Sequence, residues 1–221
     1  YLYALDPADG SILWRSTALI SEGSTESVAF AEDGDVIAGS GDRLSRIDRV
    51  DGSTVWQVSR TCPTSNGCQA AVYGESVYIW EARPGGPGIT AFDIADGSRR
   101  YSSPPIAPGI IQQVGPLCGP DGSVYAARTM NNPSTDFFTS LTDTGTGFVE
   151  NWRVPMGYTP FASFGVGPDG TVYTYSRADE VIRLDPTTGA ILDRSDPIVY
   201  DSTFSPRMAI DAEGRVYLTN G

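Results

Sequence analysis

The stretch Ala4-Leu5-Asp6-Pro7-Ala8-Asp9-Gly10-Ser11-Ile12-Leu13-Trp14 decides the fold, because its spacing of Ala, Asp, Gly and Trp recurs along the chain. The recurrences read Arg46, Asp48, Gly52, Trp56, then Ala91, Asp93, Gly97, Tyr101, then Arg183, Asp185, Gly189, Asp193, with a looser copy from Ser140 to Trp152. A period of about 45 residues is the length of four short strands with their connections. The chain is therefore predicted to be a repeat protein.

A second pattern alternates with the first. An Asp-Gly-type turn precedes a strand of alternating apolar residues at 35–40, 76–81, 123–128, 171–176 and 215–220. Glycine accepts the positive φ that such hairpin turns require, so the strand before each turn pairs with the strand after it. The small residues of these earlier strands suit the crowded innermost strand of a radial fold.

These patterns predict an all-β protein, a β-propeller of four-stranded antiparallel blades. We expect one domain over residues 1–221, with five blades at approximately 27–60, 69–103, 113–156, 162–197 and a last one built from 1–16 with 206–221. Pairing of the N-terminal with the C-terminal strands would close the ring and hide two apolar sheet edges. The chain would then be a monomer. The alternative is a piece of a larger seven- or eight-bladed ring.

The aromatic residue at the end of each repeat is predicted to dock onto the neighbouring blade, because a flat apolar ring repeated at blade spacing serves contacts between repeats. The alternative is that each ring packs within its own hairpin. The residues at this position are Trp14, Trp56, Tyr101 and Trp152.

Charge and composition exclude some partners. The formal net charge is -12, and no cluster of Lys or Arg offsets it, so we expect no binding to nucleic acid. The alternative explanation of the acidity is solubility, with Asp capping turns. No apolar run approaches the roughly 20 residues of a membrane span. The chain opens without Met or a signal sequence, as expected of a mature or trimmed piece.

The cysteines suggest an oxidising compartment. Cys62 and Cys68 bracket a short turn-rich loop that can bring two thiols to disulfide distance. The alternative is two unpaired thiols. A metal site is disfavoured because the chain has no His. Cys118 stands alone and is expected to be free, and its role is left open.

The repeats resemble those of the quinoprotein-like β-propellers, which carry Ala-x-Asp-x-x-x-Gly-x-x-x-Trp. The copy from Ala4 to Trp14 matches closely. In two other copies Tyr101 and Asp193 replace the Trp. The resemblance implies that the aromatic residue docks on the next blade. Family enzymes clamp pyrroloquinoline quinone with a vicinal Cys pair, beside Ca²⁺ and an Asp base. This sequence has no adjacent Cys pair, so we expect no cofactor and a place in the non-enzymatic branch.

Two functions remain. The first is an exported, non-catalytic scaffold that binds a protein or a saccharide, since without His the common triads cannot form. Its binding mouth would hold the residues at the start of the innermost strands, Glu26, Gln69, Gln113, Phe161 and Arg207. The alternative is that these groups only solvate a water-filled channel. The second function is a carboxylate-based glycoside hydrolase, which needs two or more acids converging there. Only Glu26 is acidic in that set, although a one-residue register slip would bring in another.

Overall fold

The computed structural model describes residues 1–20, 28–62, 69–106, 115–128, 137–155, 164–175, 180–198 and 207–219. The chain divides into two compact units, 1–109 and 110–221. Within the described ranges every regular element is a strand, which confirms the all-β prediction. No helix formed by these residues is long and apolar enough to cross a bilayer.

The first unit holds one hairpin and two four-stranded antiparallel sheets in which neighbours along the chain are neighbours in the sheet. The hairpin is β1 (Tyr3–Leu5) with β2 (Ile12–Arg15). The first sheet contains β3 (Val28–Phe30), β4 (Val36–Gly39), β5 (Arg43–Ile47) and β6 (Thr54–Ser59). The second contains β7 (Ala71–Tyr73), β8 (Ser76–Glu81), β9 (Gly88–Asp93) and β10 (Arg99–Ser102).

The second unit has the same components in the opposite order. Its first sheet contains β11 (Leu117–Cys118), β12 (Val124–Arg128), β13 (Phe137–Asp143) and β14 (Phe148–Pro155). Its second contains β15 (Phe164–Val166), β16 (Val172–Tyr175), β17 (Val181–Leu184) and β18 (Ile191–Arg194). A hairpin of β19 (Arg207–Ile210) and β20 (Val216–Thr219) comes last. Each four-stranded sheet is a meander of the kind predicted for a blade, and we call these sheets blades.

The two turn types form for the reasons the sequence suggests. The Asp-Gly turn between the first and second strands places Gly34, Gly122 and Gly170 at φ of +89°, +84° and +83°. This is the left-handed region where glycine lacks the steric penalty of other residues. The repeat motif forms the turn between the third and fourth strands, where the Gly52 amide donates to the Asp48 carbonyl at 3.0 Å. The Asp48 side chain also accepts from the Val50 amide, so the carboxylate fixes the turn.

Apolar side chains concentrate between neighbouring blades. In the first unit a buried cluster joins Trp56 of β6 to Val77, Ile79 and Phe92 of the next blade. In the second unit Trp152 of β14 clusters with Phe164, Val172, Ile182 and Leu184 of the next blade. The blades therefore gain their stability by covering one another, as expected of a repeat protein.

Five-bladed closure is not confirmed. The terminal strands β1 and β20, for which the sequence predicts pairing, belong to two separate two-stranded sheets. Tyr3 of β1 is 51% exposed and Tyr217 of β20 is 52% exposed. The blade built from both ends of the chain, and the single domain that it would complete, stay predictions.

Candidate functional site

The repeated tryptophan meets the repeat turn of the next blade at three places. The indole of Trp14 lies on Gly52, that of Trp56 on Gly97, and that of Trp152 on Gly189. In each case a methyl group built on the glycine would come within 2.7 Å of the ring. A residue larger than Gly would therefore displace the indole. We call this contact between an indole and the turn glycine of the next blade a tryptophan joint.

Each indole also makes a hydrogen bond to the backbone of the turn on which it lies. Nε1 of Trp14 donates to the Arg49 carbonyl at 2.9 Å. The corresponding bonds run from Trp56 to Ile94 and from Trp152 to Pro186, both at 2.8 Å. The accepting carbonyl always belongs to the residue three before the glycine. The joint thus combines apolar contact with one directional bond.

The weaker copies of the motif place other side chains at this position. Tyr101 is half-buried and lies opposite Ala91 in the sheet. Asp193 lies opposite Arg183 and is exposed, as are the other residues of β18. Asp193 has no ring, so the outer strand of the last complete blade offers no indole to a neighbour.

An open groove of about 410 Å³ lies in the first unit, between the blades β3–β6 and β7–β10. Its floor is apolar, and its rim carries three carboxylates with one arginine. The lining residues are Ala31, Glu32, Asp33, Arg46, Gly74, Glu75 and Ile94. A groove of this composition can accept an apolar side chain that ends in a positive charge.

Arg46 holds the two walls of this groove together. It stands at the small-residue position of the repeat motif, on β5. Its guanidinium donates to Asp35 at 2.8 Å and to Asp33 in its own blade, and to the Ile94 carbonyl of the next blade at 2.9 Å. The same carbonyl accepts the indole N–H of Trp56. The groove is therefore built directly on a tryptophan joint.

A second arginine, Arg100 of β10, binds acidic residues on the side of the groove formed by the blade β7–β10. Arg100 contacts Asp93 at 2.6 Å and Glu75 at 3.5 Å, and it donates to the Ser76 hydroxyl. The backbone amide of Ala95, together with the Arg100 side chain, lowers the pKa of Asp93. The hydrogen bond to Asp93 raises the pKa of Arg100. Glu75 is 87% exposed at this wall and faces solvent at the rim.

A buried arginine joins the same two blades. Arg60, which comes directly after β6, is 5% exposed and donates to the carbonyls of Ser40 and Trp80, at 2.8 and 2.5 Å. Its Nε has no partner among the described residues. Burial lowers the pKa of Arg60 to about 10, while the charges of Glu81 and Asp42 oppose that shift. The side chain therefore stays charged at neutral pH, and its hydrogen bonds link the two blades.

The predicted binding mouth falls mostly on residues that the structure does not describe. Glu26, Gln113 and Phe161 lie outside the described ranges. Gln69 is half-buried just before β7, and Arg207 begins β19 with its backbone opposite Thr219. The mouth therefore stays a prediction. Sequence reasoning misses the groove residues, although the acidic pair Glu32-Asp33 beside a turn glycine is a visible signal.

The three cysteines bear on the predicted disulfide. Cys68 lies outside the described ranges, so its bond to Cys62 stays a prediction. Cys118 is a free thiol. Positions 62, 68 and 118 provide no adjacent pair of cysteines. No group of three side chains able to hold a metal ion occurs in the described ranges.

Solved structures share this fold at low sequence identity. BamB from Moraxella catarrhalis superposes with a TM-score of 0.62 at 15% identity, over 98% of this chain and 65% of that one. The quinohemoprotein alcohol dehydrogenase ADHIIG from Pseudomonas putida HK5 gives 0.59 at 17% identity, over 98% of this chain and 42% of that one. The quinohemoprotein alcohol dehydrogenase from Comamonas testosteroni gives 0.60 at 15%, over 93% and 42%.

This chain therefore spans about two thirds of that BamB structure and about two fifths of the two dehydrogenases. No curated protein sequence matches it. The family model described as outer membrane protein assembly factor BamB matches residues 1–195, which is most of the chain. The repeat turns, the tryptophan joints and this match agree, and the chain belongs to the BamB-like family of PQQ-type repeat β-propellers.

Proposed function

We propose that this chain is an exported, non-catalytic scaffold that binds proteins, and that the acidic groove receives a basic side chain of the partner. The observation that supports the proposal is the composition of the groove. Glu32, Asp33 and Glu75 rim an apolar floor of Ala31 and Ile94, in a cavity of about 410 Å³. A Lys or Arg stem would cover the floor while its charge meets the rim.

The remaining properties of the chain agree with this proposal. A net charge of -12 attracts basic partners over a Debye length and accelerates their encounter. The family description refers to a protein assembly factor. The absence of His from the sequence removes the commonest general base. Export is part of the proposal because a Cys62–Cys68 bond would need an oxidising compartment.

Titration with acetylated pentalysine tests the groove. We expect a 1:1 complex at low salt, weakened about tenfold when Glu32→Gln and Glu75→Gln are combined, because two of the rim charges are lost. The matched control is Glu150→Gln with Glu213→Gln. It removes the same total charge from two exposed acids elsewhere, which pair with Arg153 and Arg215.

Equal weakening by both double variants would show that only net charge matters, and it would reject the groove as the site. Absence of a complex would reject it as well. A parallel assay on polysaccharides addresses the hydrolase alternative, since turnover there would contradict a non-catalytic role.

A further inference from the structure

Arg46 brings a guanidinium into the groove of the first unit, at a position where two other repeats have Ala4 and Ala91. The two blades that form this groove, β3–β6 and β7–β10, are complete four-stranded sheets of the same unit. The side chain of Arg46 is 14% exposed, so part of it is open to a ligand in the groove. The bonding of this guanidinium therefore limits which chemical groups the groove can accept.

All three nitrogen atoms of the Arg46 guanidinium already donate hydrogen bonds. Nε donates to Asp35 at 2.8 Å, Nη1 donates to the Ile94 carbonyl at 2.9 Å, and Nη2 donates to Asp33. The N–H donors of a guanidinium lie in its plane, so these acceptors occupy its edges. The surface that Arg46 has left for a ligand is the flat face of the guanidinium.

The charge of Arg46 is balanced inside its own blade. Asp33 and Asp35 both bind the guanidinium, and Asp35 is 8% exposed. Two carboxylates around one guanidinium leave no positive charge that would repel a basic partner. The rim also carries Glu32, which is exposed on one wall, and Glu75, whose side chain is 87% exposed on the other. A ligand in the groove therefore lies between two acids that belong to different blades.

The rest of the lining suits a flat apolar ring. Ala31 and Ile94 form the floor, and Gly74 lines the wall without a side chain. A methyl group built on Gly74 would meet no atom within 4 Å. The volume of about 410 Å³ lies in the range of cavities that hold a small molecule, so one Lys or Arg stem does not account for it. A guanidinium face attracts an aromatic ring by cation–π interaction and by stacking.

We propose that the partner protein enters the groove with an aromatic residue flanked by basic residues, and that the aromatic ring stacks on the guanidinium of Arg46. This inference rests on the function proposed above and adds the aromatic residue to the basic one. The ring covers Ala31 and Ile94, while the flanking Lys or Arg side chains meet Glu32 and Glu75 on opposite walls. Arg46 is then the residue that makes the groove prefer an aromatic over an aliphatic side chain.

Two tripeptides with acetylated and amidated ends test this preference. The first is Lys-Phe-Lys, and the second carries cyclohexylalanine in place of Phe. Cyclohexylalanine matches the size and the apolar character of Phe but has no π system. Calorimetric titration of the full chain at low salt measures both affinities. We expect the Phe peptide to bind about fivefold more tightly than the cyclohexylalanine peptide, because only the aromatic ring attracts the guanidinium.

Nuclear magnetic resonance of the ¹⁵N-labelled full chain locates the ring. The ring current of a stacked Phe shifts nuclei that lie over its face upfield, whereas a cyclohexyl ring has no such current. We expect the Arg46 Nε–H resonance to move upfield with the Phe peptide and to move less with the cyclohexylalanine peptide. The variant Arg46→Lys lacks this resonance and thereby assigns it. A purely structural role of Arg46 would not give a shift that depends on the aromatic ring.

A pair of variants on one strand tests the guanidinium itself. Arg46→Lys keeps the positive charge near Asp35 but replaces the planar group by a compact ammonium. The preference for the Phe peptide should fall below about twofold. Arg43→Lys is the matched control, because Arg43 lies at the opposite end of β5 with a side chain 46% exposed. This variant should keep the fivefold preference. The comparison of the two peptides on the unaltered chain stands even if Arg46→Lys folds poorly.

Three results would overturn the inference: equal affinities of the two tripeptides for the unaltered chain, an Arg46 Nε–H resonance that does not move, or an unchanged preference in a folded Arg46→Lys variant. The pentalysine titration separates this failure from failure of the proposed function. If pentalysine binds and needs Glu32 and Glu75 while the two tripeptides bind equally, only the aromatic residue is rejected. If neither pentalysine nor a tripeptide binds, the proposed function is rejected with it.

Discussion

The indole of Trp56 lies against Gly97 so closely that a methyl group on the glycine would come within 2.7 Å of ring carbon Cε3. The ring is 8% exposed, and its N–H is bonded to the carbonyl of Ile94, three residues before the glycine. The contact between these blades therefore pairs an indole in one blade with a glycine in the next. Because glycine has no side chain, the ring can lie directly on the turn. Both members of the pair should be needed for stability.

Gly97→Ala should destabilise the fold by about 2 to 4 kcal/mol. Strain at a φ of +74° accounts for roughly 1 kcal/mol, and displacement of the indole accounts for a further 1 to 3 kcal/mol. Urea denaturation of the variant and of the parent protein measures the difference.

The control for this substitution is Gly145→Ala. Gly145 has a φ of +79°, but no atom lies within 4 Å of a methyl group built there. Only the backbone strain of roughly 1 kcal/mol is expected. Equal losses in the two variants would mean that close packing at Gly97 adds nothing.

Removal of the ring itself should cost more. Trp56→Ala and Trp152→Ala each delete a buried indole together with its hydrogen bond, and a loss of about 3 to 5 kcal/mol is expected. Asp193→Ala changes an exposed side chain at the same position of the repeat, so its effect should stay within about 0.5 kcal/mol. Losses below about 1 kcal/mol for both tryptophan variants would contradict the role of the indole in joining blades.

The blades are predictable because the information for each is local. The turn containing Asp48 and Gly52 is fixed by a side chain that bonds the amide two residues on and by a glycine at positive φ. The spacing of these turns then gives the length of a blade. Even the docking of Trp14 on a neighbouring repeat can be anticipated from sequence, because repetition implies that neighbours meet in the same way.

Other features depend on contacts that a sequence does not show. Arg60 is nearly buried, whereas an isolated arginine beside a loop is normally exposed. Its position depends on two carbonyls in different blades, Ser40 and Trp80. The groove likewise depends on Arg46, which stands where two other repeats have alanine, Ala4 and Ala91. Leu5 resembles Leu184 in sequence context, yet only Leu184 is covered.

Acid should lower the contribution to the free energy of unfolding made by the turn that contains Asp93. The amide of Ala95 and then the Arg100 guanidinium lower the pKa of this carboxyl in the folded chain. A carboxyl with a lowered folded pKa contributes stability above its unfolded pKa of about 3.9, and this contribution is lost as pH falls through the folded pKa. Asp93→Asn should therefore reduce the difference between the unfolding free energies at pH 7 and pH 3. Asp193, for comparison, is exposed in β18. Equal changes by Asp93→Asn and Asp193→Asn in the pH dependence of the unfolding free energy would show that this dependence does not come from the Asp93 turn.

The thiols should separate into one free and two paired groups. In protein produced in an oxidising compartment, denatured without reductant, we expect thiol titration to find one reactive group, Cys118, with Cys62 and Cys68 joined. Burial, with a smaller effect of the Asp143 charge, raises the pKa of Cys118 to about 12. Because the thiolate is the reactive form, the native protein at pH 8 should react more than about a hundredfold more slowly than the denatured protein. Cys118→Ser should remove the titratable thiol entirely. Three thiols in the denatured, unreduced chain would contradict the disulfide, and fast reaction of the native chain would contradict the burial of Cys118.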